Sequence, residues 1–394
     1  MGRDIQDFSP EAIQAQLSEI KSSGLYRSRE ALSGPQAATI GIEEHTLLNF
    51  CSNDYLGLAN DPRLVQSMCE AVKRFGVGSG ASPLVCGWSV AHRDLETQLA
   101  EFCQRDRALI FSSGYLANLA ISATLAPARE DCIYQDKLNH ASIIDAARLS
   151  PARLRRFPHG DTQRLQELVD QPHGGRKLVV TDAVFSMDGD IARLADIAEI
   201  AKKSGACLVV DDAHGFGVLG HNGAGTLQQL GLGQHEAPLM VATFGKALGC
   251  SGAFVAGRAD LIELMLQKAR PYIYSTAIPS ALAAVVSTSL DIVQQEGWRR
   301  QRLQQLAQVY EDGIAEMGLP PGSGSPVIKP LIVGSSDEAL KLSQALREEG
   351  VLVTAIRPPT VPANTARLRV TLSAAHEQGD VQKLLSAIGR RMTN

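Results

Sequence analysis

Between Leu48 and Ala277 short apolar runs alternate with longer helix-compatible stretches, and this alternation restricts the fold more than any other feature of the chain. The runs are Ala108-Leu-Ile-Phe111, Cys132-Ile-Tyr134, Lys177-Leu-Val-Val-Thr181, Ala206-Cys-Leu-Val-Val210, Leu239-Met-Val-Ala242 and Ala253-Phe-Val-Ala256. Strands that are apolar on both faces and separated by helices predict a mostly parallel sheet covered by helices on each side. The expected fold class is therefore α/β.

Around that centre, Ser9-Pro10-Glu11 predicts a helix start, and Ile13, Leu17 and Ile20 keep helical spacing. Residues 279–317 are helix-compatible with a break near Gly297, and Pro320-Pro-Gly-Ser-Gly-Ser-Pro326 reads as a loop. Beyond it come runs at 327–333, 351–355 and 366–372, a helix over 337–349 and a last helix from Glu377. The expected organisation is an N-terminal helical segment (1–48), a large sheet domain (49–285) and a small C-terminal α+β domain (286–394).

A chain of 394 residues with 44% hydrophobic side chains can bury a large core. Its net charge of -4 and the lack of any Lys/Arg run longer than two give no footprint for nucleic acid or anionic membrane. The seven cysteines are odd in number, scattered and never CxxC, which disfavours a disulfide framework or a zinc knuckle and fits a reducing cytoplasm. No metal is expected, and the N-terminus has no apolar core of signal-peptide length. Small-molecule chemistry is the expectation.

Ligands of open parallel sheets sit outside the carboxyl ends of the strands. At one such end Phe111-Ser-Ser-Gly114 leads into a helix whose first-turn amides suit an anion or simply need a cap. His140 follows another strand and reads equally as structural. Asp211 and Asp212 end a third strand, and alternation sends them to opposite faces, so one of them can meet a ligand. Ser186 and Asp188 occupy a tight turn after a fourth strand, and Gly215-Phe-Gly-Val-Leu-Gly220 matches GxGxxG without the helix that a dinucleotide fingerprint requires.

The fifth end is Thr243-Phe-Gly-Lys-Ala-Leu-Gly249, where Thr243 adds a hydroxyl and Lys246 can enter the crevice. A desolvated lysine has a lowered pKa, which makes its amine a nucleophile suited to a Schiff base. Phosphate-binding amides, an acid, a histidine and such a lysine match the phosphate, pyridine nitrogen, ring face and aldehyde of pyridoxal phosphate (PLP). The glycines flanking Lys246 are expected to leave room for that cofactor. No GxxxxGK[ST], HExxH or GxSxG occurs.

Ser52-Asn-Asp-Tyr-Leu-Gly-Leu58, Gly78-Ser-Gly80, Asn139-His-Ala-Ser142, Val184-Phe-Ser-Met-Asp-Gly189, Asp211-Asp-Ala-His214 and Thr243-Phe-Gly-Lys246 stand in one order along the chain. Together they resemble the α-oxoamine synthases, PLP-dependent transferases of the aspartate aminotransferase fold, fold type I. The resemblance implies that Lys246 bonds the cofactor, Asp211 holds the pyridinium proton and His140 stacks on the ring. Gly114 and Tyr115 would seat the cofactor, Ser186 and His214 would reach the ring oxygen region, and Thr243 would bind phosphate.

Residues 354–362 with 366–372 most resemble the branch of that family that condenses L-alanine with a pimeloyl thioester in biotin biosynthesis. The resemblance then implies Arg357 at the amino-acid carboxylate, with Thr360 and Arg27 at the acyl substrate; Arg27 also reads as a solvated helix-end cation. The acyl carrier is coenzyme A or acyl carrier protein. Tyr274-Ser-Thr276 resembles a segment that reaches across a homodimer. Three other readings stay open: a synthase using glycine and a short acyl-CoA, a catalytically silent relative, and a nicotinamide dehydrogenase resting on Gly215–Gly220.

Overall fold

The computed structural model describes residues 8–322 and 324–392, so the outermost positions of the two terminal segments lie outside it. The first helix, Pro10–Ser22, starts as the sequence predicts, with the Ser9 hydroxyl accepting from the Ala12 amide and Pro10 in the first turn. Besides that helix, the segment before residue 50 holds a hairpin of β1 (Thr39–Ile42) and β2 (His45–Asn49).

The centre is a seven-stranded sheet. Its members are β3 (Arg107–Phe111), β4 (Cys132–Asp136), β5 (Arg153–Phe157), β6 (Lys177–Asp182), β7 (Cys207–Asp211), β8 (Leu239–Thr243) and β9 (Ala253–Gly257), in the order β3-β9-β8-β7-β6-β4-β5. Five neighbours from β5 to β8 run parallel, and β9 is antiparallel to both β8 and β3. Edge strand β5 was not legible, because Arg153-Leu-Arg-Arg-Phe157 is charged and only its last residue is fully buried.

Alternate strand residues supply two cores. Leu109, Ile133, Leu178, Val209, Val241 and Val255 pack with Ala117, Ile121, Ile143 and Met265 of the helices on one face. Their neighbours Ile110, Tyr134, Val179, Leu208, Met240 and Phe254 join the larger core on the other. A sheet buried on both faces leaves only its strand ends to meet a ligand.

The C-terminal part holds β10 (Ile328–Gly334), β11 (Val351–Leu352), β12 (Thr354–Ile356) and β13 (Ala366–Thr371). Strands β10, β13 and β12 form an antiparallel sheet, while β11 extends the hairpin by pairing parallel with β2. The run expected over 351–355 is thus divided at Val353, because its halves serve different sheets. Helices Ser280–Gln295 and Gly297–Glu316 meet at the predicted break. Asn364 takes φ 62°, a left-handed conformation that asparagine tolerates better than most residues. Among the described residues no helix is long and apolar enough to cross a membrane.

Candidate active site

The carboxyl ends of β6, β7 and β8 open into a cavity of about 180 Å³, capped by the start of helix Gly114–Leu125. Gly114, Tyr115, His140, Asp211, His214, Thr243 and Lys246 line it together, with Asn118, Ser142 and Asp182 beside them. In-register pairing of Asp182 with Asp211 sets two strand ends level, which is how residues so far apart in sequence converge.

Lys246 sits in the turn that joins β8 to its antiparallel neighbour β9. That turn is closed by Phe244 N to Gly252 O (2.9 Å), Gly249 N to Lys246 O (2.9 Å) and Cys250 N to Phe244 O (2.8 Å). Lys246 Nζ lies 2.7 Å from His214 Nε2, and His214 Nδ1 lies 2.6 Å from the hydroxyl of the fully buried Tyr55. Burial lowers the Lys246 pKa to about 8, with Asp211 and Asp182 opposing the shift. Burial, then the Lys246 charge, holds His214 well below the ordinary histidine value, so the imidazole is neutral beside the amine.

The glycines around Lys246 differ in purpose. Gly249 does not make room for a ligand: it has φ +64°, and a Cβ there would stand 2.3 Å from the Ala59 amide nitrogen. Gly245 has no such neighbour, its nearest atom being Thr243 Oγ1 at 3.5 Å.

Asp211 and Asp212 part as strand alternation predicts. Asp211 Oδ2 accepts from Asn118 Nδ2 at 2.7 Å, and Asp211 Oδ1 accepts from the Ala213 amide at 3.1 Å. Asn118 Nδ2 also donates to Ser142 Oγ at 2.9 Å, which lies 2.8 Å from His140 Nδ1. His140 is thereby tied to Asp211 through two side chains. Its backbone amide donates to Asp182 Oδ2 at 2.6 Å. Asp182 is raised well above the usual carboxylate range, first by burial and then by the charge of Asp211. Asp212 turns away, taking the Thr226 amide and hydroxyl at 2.5 and 2.6 Å, and burial pushes it up to about 7.

Thr243 Oγ1 donates to the Gly252 carbonyl at 2.9 Å, and the Tyr115 hydroxyl donates to Asp145 Oδ2 at 2.6 Å. Ser186 does not line the cavity, and its carbonyl instead accepts from Arg369 Nε at 2.6 Å. Arg27, Arg357 and Thr360 line a separate, more open groove of about 620 Å³, where Arg357 Nη1 donates to the Gly24 carbonyl at 2.6 Å. Tyr274 is exposed and outside both spaces. The Gly215–Gly220 stretch forms turns rather than opening a helix, and a Cβ on Gly217 would meet that of Ala247 at 2.6 Å. This removes the dinucleotide reading.

Sequence reasoning missed Asn118, Asp182 and Tyr55. Asn118 lies one helical turn past Gly114, a signal that its side chain shares the Gly114 face. Tyr55 stood inside a quoted motif but had no visible partner until the fold brought His214 to it.

These features fit PLP. The cavity holds an amine of lowered pKa opposite a carboxylate fixed by Asn118, whose own buried Oδ1 meets no partner among the described residues. At the helix start, a Cβ on Gly114 would meet nothing within 4 Å, leaving open space before amides that suit a phosphate.

The aminotransferase class I and II family model matches residues 45–388. An 8-amino-7-oxononanoate synthase of Hahella chejuensis is 51% identical over 93% of this chain and 93% of its own. Another, from Cellvibrio japonicus, is 47% identical over 98% of this chain and 96% of its own. The chain belongs to the 8-amino-7-oxononanoate synthase family. As a member it is a PLP-dependent acyltransferase of fold type I. A lysine-to-alanine variant of the serine palmitoyltransferase from S. paucimobilis, solved with a bound PLP-myriocin aldimine, is similar at TM-score 0.91 and 29% identity, covering 99% of each chain. The 8-amino-7-oxononanoate synthase of Francisella tularensis is similar at TM-score 0.78 and 31% identity, covering 88% of this chain and 98% of its own.

Proposed function

We propose that the protein condenses L-alanine with a pimeloyl thioester, releasing carbon dioxide and the free thiol and yielding 8-amino-7-oxononanoate for biotin biosynthesis. The observation that carries the chemistry is the Lys246 amine, 2.7 Å from neutral His214 in a cavity that Asp211 also lines. The family relatives favour this reading over a synthase that uses glycine and a short acyl-CoA.

When bound, PLP supplies an electron sink for the negative charge that develops at Cα of alanine. Lys246 would hold its aldehyde carbon, Asp211 its pyridine nitrogen and His140 its ring face, with the amides of Gly114 and Tyr115 and the Thr243 hydroxyl at the phosphate. Lys246 Nζ, its pKa lowered to about 8, takes the Cα proton of alanine. His214 receives one hydrogen of that amine and keeps its lone pair directed at the substrate. Asp211, fixed by Asn118, would hold the proton of the ring nitrogen in place. Ser186, outside the cavity, acts through the carbonyl that anchors Arg369.

Arg357 serves the alanine carboxylate by releasing the Gly24 carbonyl, and its planar fork orients the Cα bonds. Arg27 and Thr360 share its groove, and a second cation there suits the far carboxylate of a pimeloyl chain. The Tyr274–Thr276 segment, with Tyr274 70% exposed, is free to stand at the interface of a homodimer. Seven free cysteines support a reducing, cytoplasmic setting. Either coenzyme A or acyl carrier protein serves as the acyl carrier.

The test is thiol release by PLP-loaded protein. Pimeloyl-CoA with L-alanine is compared with acetyl-CoA and succinyl-CoA, each with glycine, for the wild type and Lys246→Ala. Preferential release from the first pair that is lost in Lys246→Ala supports the reading. Release only from glycine with a short acyl donor refutes the substrate assignment.

A further inference from the structure

Met240 of β8 faces away from the Lys246 cavity. Behind it lies a second cavity, of about 50 Å³, that shares no residue with the first. Phe102, Cys103 and Arg105 close one side, at the end of helix Val90–Phe102, and Leu227 and Gln228 close another. The chain enters this corner through Gln104 at φ 53°, and the Arg105 amide donates to the Ala100 carbonyl at 2.8 Å, which fixes the Arg105 backbone.

Arg105 is only 8% exposed, and its Nε and Nη1 are buried with no acceptor among the described residues. The other buried arginines are all satisfied. Arg299 donates to Leu56 O and Asp61, Arg367 to Thr365 O and Asp188, and Arg369 to Ser186 O and Asn53. The acids around Arg105 are engaged elsewhere. Asp106 accepts from Gln234 Nε2 at 2.8 Å and the Ala259 amide at 3.1 Å, and Asp212 from Thr226; Glu236, whose Oε2 accepts from the Gly233 amide at 3.0 Å, acts on Arg105 through its charge but makes no hydrogen bond to Nε or Nη1. Burial pushes the Cys103 thiol up to about 12, so it is neutral.

A guanidinium cannot shed its charge in a protein, and Glu236 meets it only through space, so burial leaves Nε and Nη1 needing an acceptor. Water supplies acceptors but no charge. The space exceeds the roughly 10–15 Å³ that one water requires. We propose that Arg105 and this cavity form a binding site for a small inorganic anion, of halide to phosphate size, with Nε and Nη1 as its donors. The site is structural: it pins the end of helix Val90–Phe102 to the turn that carries Thr226, the partner of Asp212.

The PLP-loaded protein is melted at constant ionic strength while potassium gluconate, too large for the cavity, is replaced by chloride or by phosphate. The wild type should show a saturable Tm rise of about 2–4 °C with at least one small anion. The chloride and phosphate arms show which size the site takes, and Arg105→Met should abolish the rise. Equal melting in all salts, or the same rise in Arg105→Met, overturns the proposal. Should Arg105→Met fail to fold, wild-type crystals grown in bromide decide. An anomalous peak within hydrogen-bond reach of Arg105 Nε and Nη1 sustains the site; water or the Glu236 carboxylate in that place overturns it.

Discussion

Asn118 donates to Asp211 at 2.7 Å from the helix that opens at Gly114, so the element that caps the cavity also fixes an acid that lines it. A hydrogen bond to a charged group contributes about 1.5–3 kcal/mol. Asn118→Ala is therefore expected to lower kcat for thiol release by about 10–100-fold with little change in KM for the acyl donor. Steady-state kinetics with pimeloyl-CoA and L-alanine checks this, and an unchanged kcat would remove Asn118 from the machinery.

Tyr55→Phe deletes the hydroxyl 2.6 Å from His214 Nδ1 and leaves a buried ring nitrogen unpaired. Stability should fall by about 1–3 kcal/mol, read from the urea midpoint of the purified protein. If Lys246 bonds the cofactor as proposed, its visible absorbance should shift as well, since His214 touches that amine.

The lowered Lys246 pKa has a definite sign in stability. The unfolded chain holds this proton up to about pH 10.4, whereas the folded cofactor-free protein releases it near 8. Between those values the unfolded state binds more protons, so this group makes stability rise with pH across roughly 8–10.4 and leaves it level below 8. Lys246→Met should flatten that rise in urea titrations of cofactor-free protein, and an unchanged slope would contradict the shift.

Asp212 behaves oppositely. Its folded pKa of about 7 lies above the unfolded carboxylate value, so its contribution is full below about pH 4 and is lost as pH rises through 7. Thr226→Val removes the hydroxyl bond, raises this pKa further and should extend the loss to higher pH. Denaturation midpoints from pH 4 to 8 for the two proteins make the comparison.

Gly249→Ala tests the turn that presents Lys246. The added Cβ meets backbone at 2.3 Å from Ala59 N and 2.5 Å from Leu58 C at a positive φ, so neither neighbour can yield cheaply. A loss of about 2–4 kcal/mol is expected by chemical denaturation.

What was legible in the chain follows from what each signal depends on. The central strands were visible because burial on both faces writes itself as a continuous apolar run. Lys246, Asp211, His140 and Thr243 were visible because they stand where such runs stop. Strand β5 and the hairpin of β1 and β2 were hidden, since edge and half-exposed strands mix charges with apolar residues. Asn118, Asp182 and Tyr55 were hidden for another reason: their meaning lies in the register between distant elements. Ser186 shows the converse, a motif residue that the fold keeps out of the cavity and puts to work through its carbonyl.

The contact between Tyr55 and His214 spans 159 residues, and that between Asn53 and Arg369 spans 316. On a ribosome adding about 5–20 residues per second, His214 is made roughly 10–30 s after Tyr55. Arg369 follows later still, 316 residues after Asn53. A nascent chain that has already laid down most of the central sheet therefore still lacks the clamp on its catalytic corner. Any truncated product that ends before Arg369 would leave Asn53 without its guanidinium, so quality control acting on such fragments meets a protein with a core and no finished site.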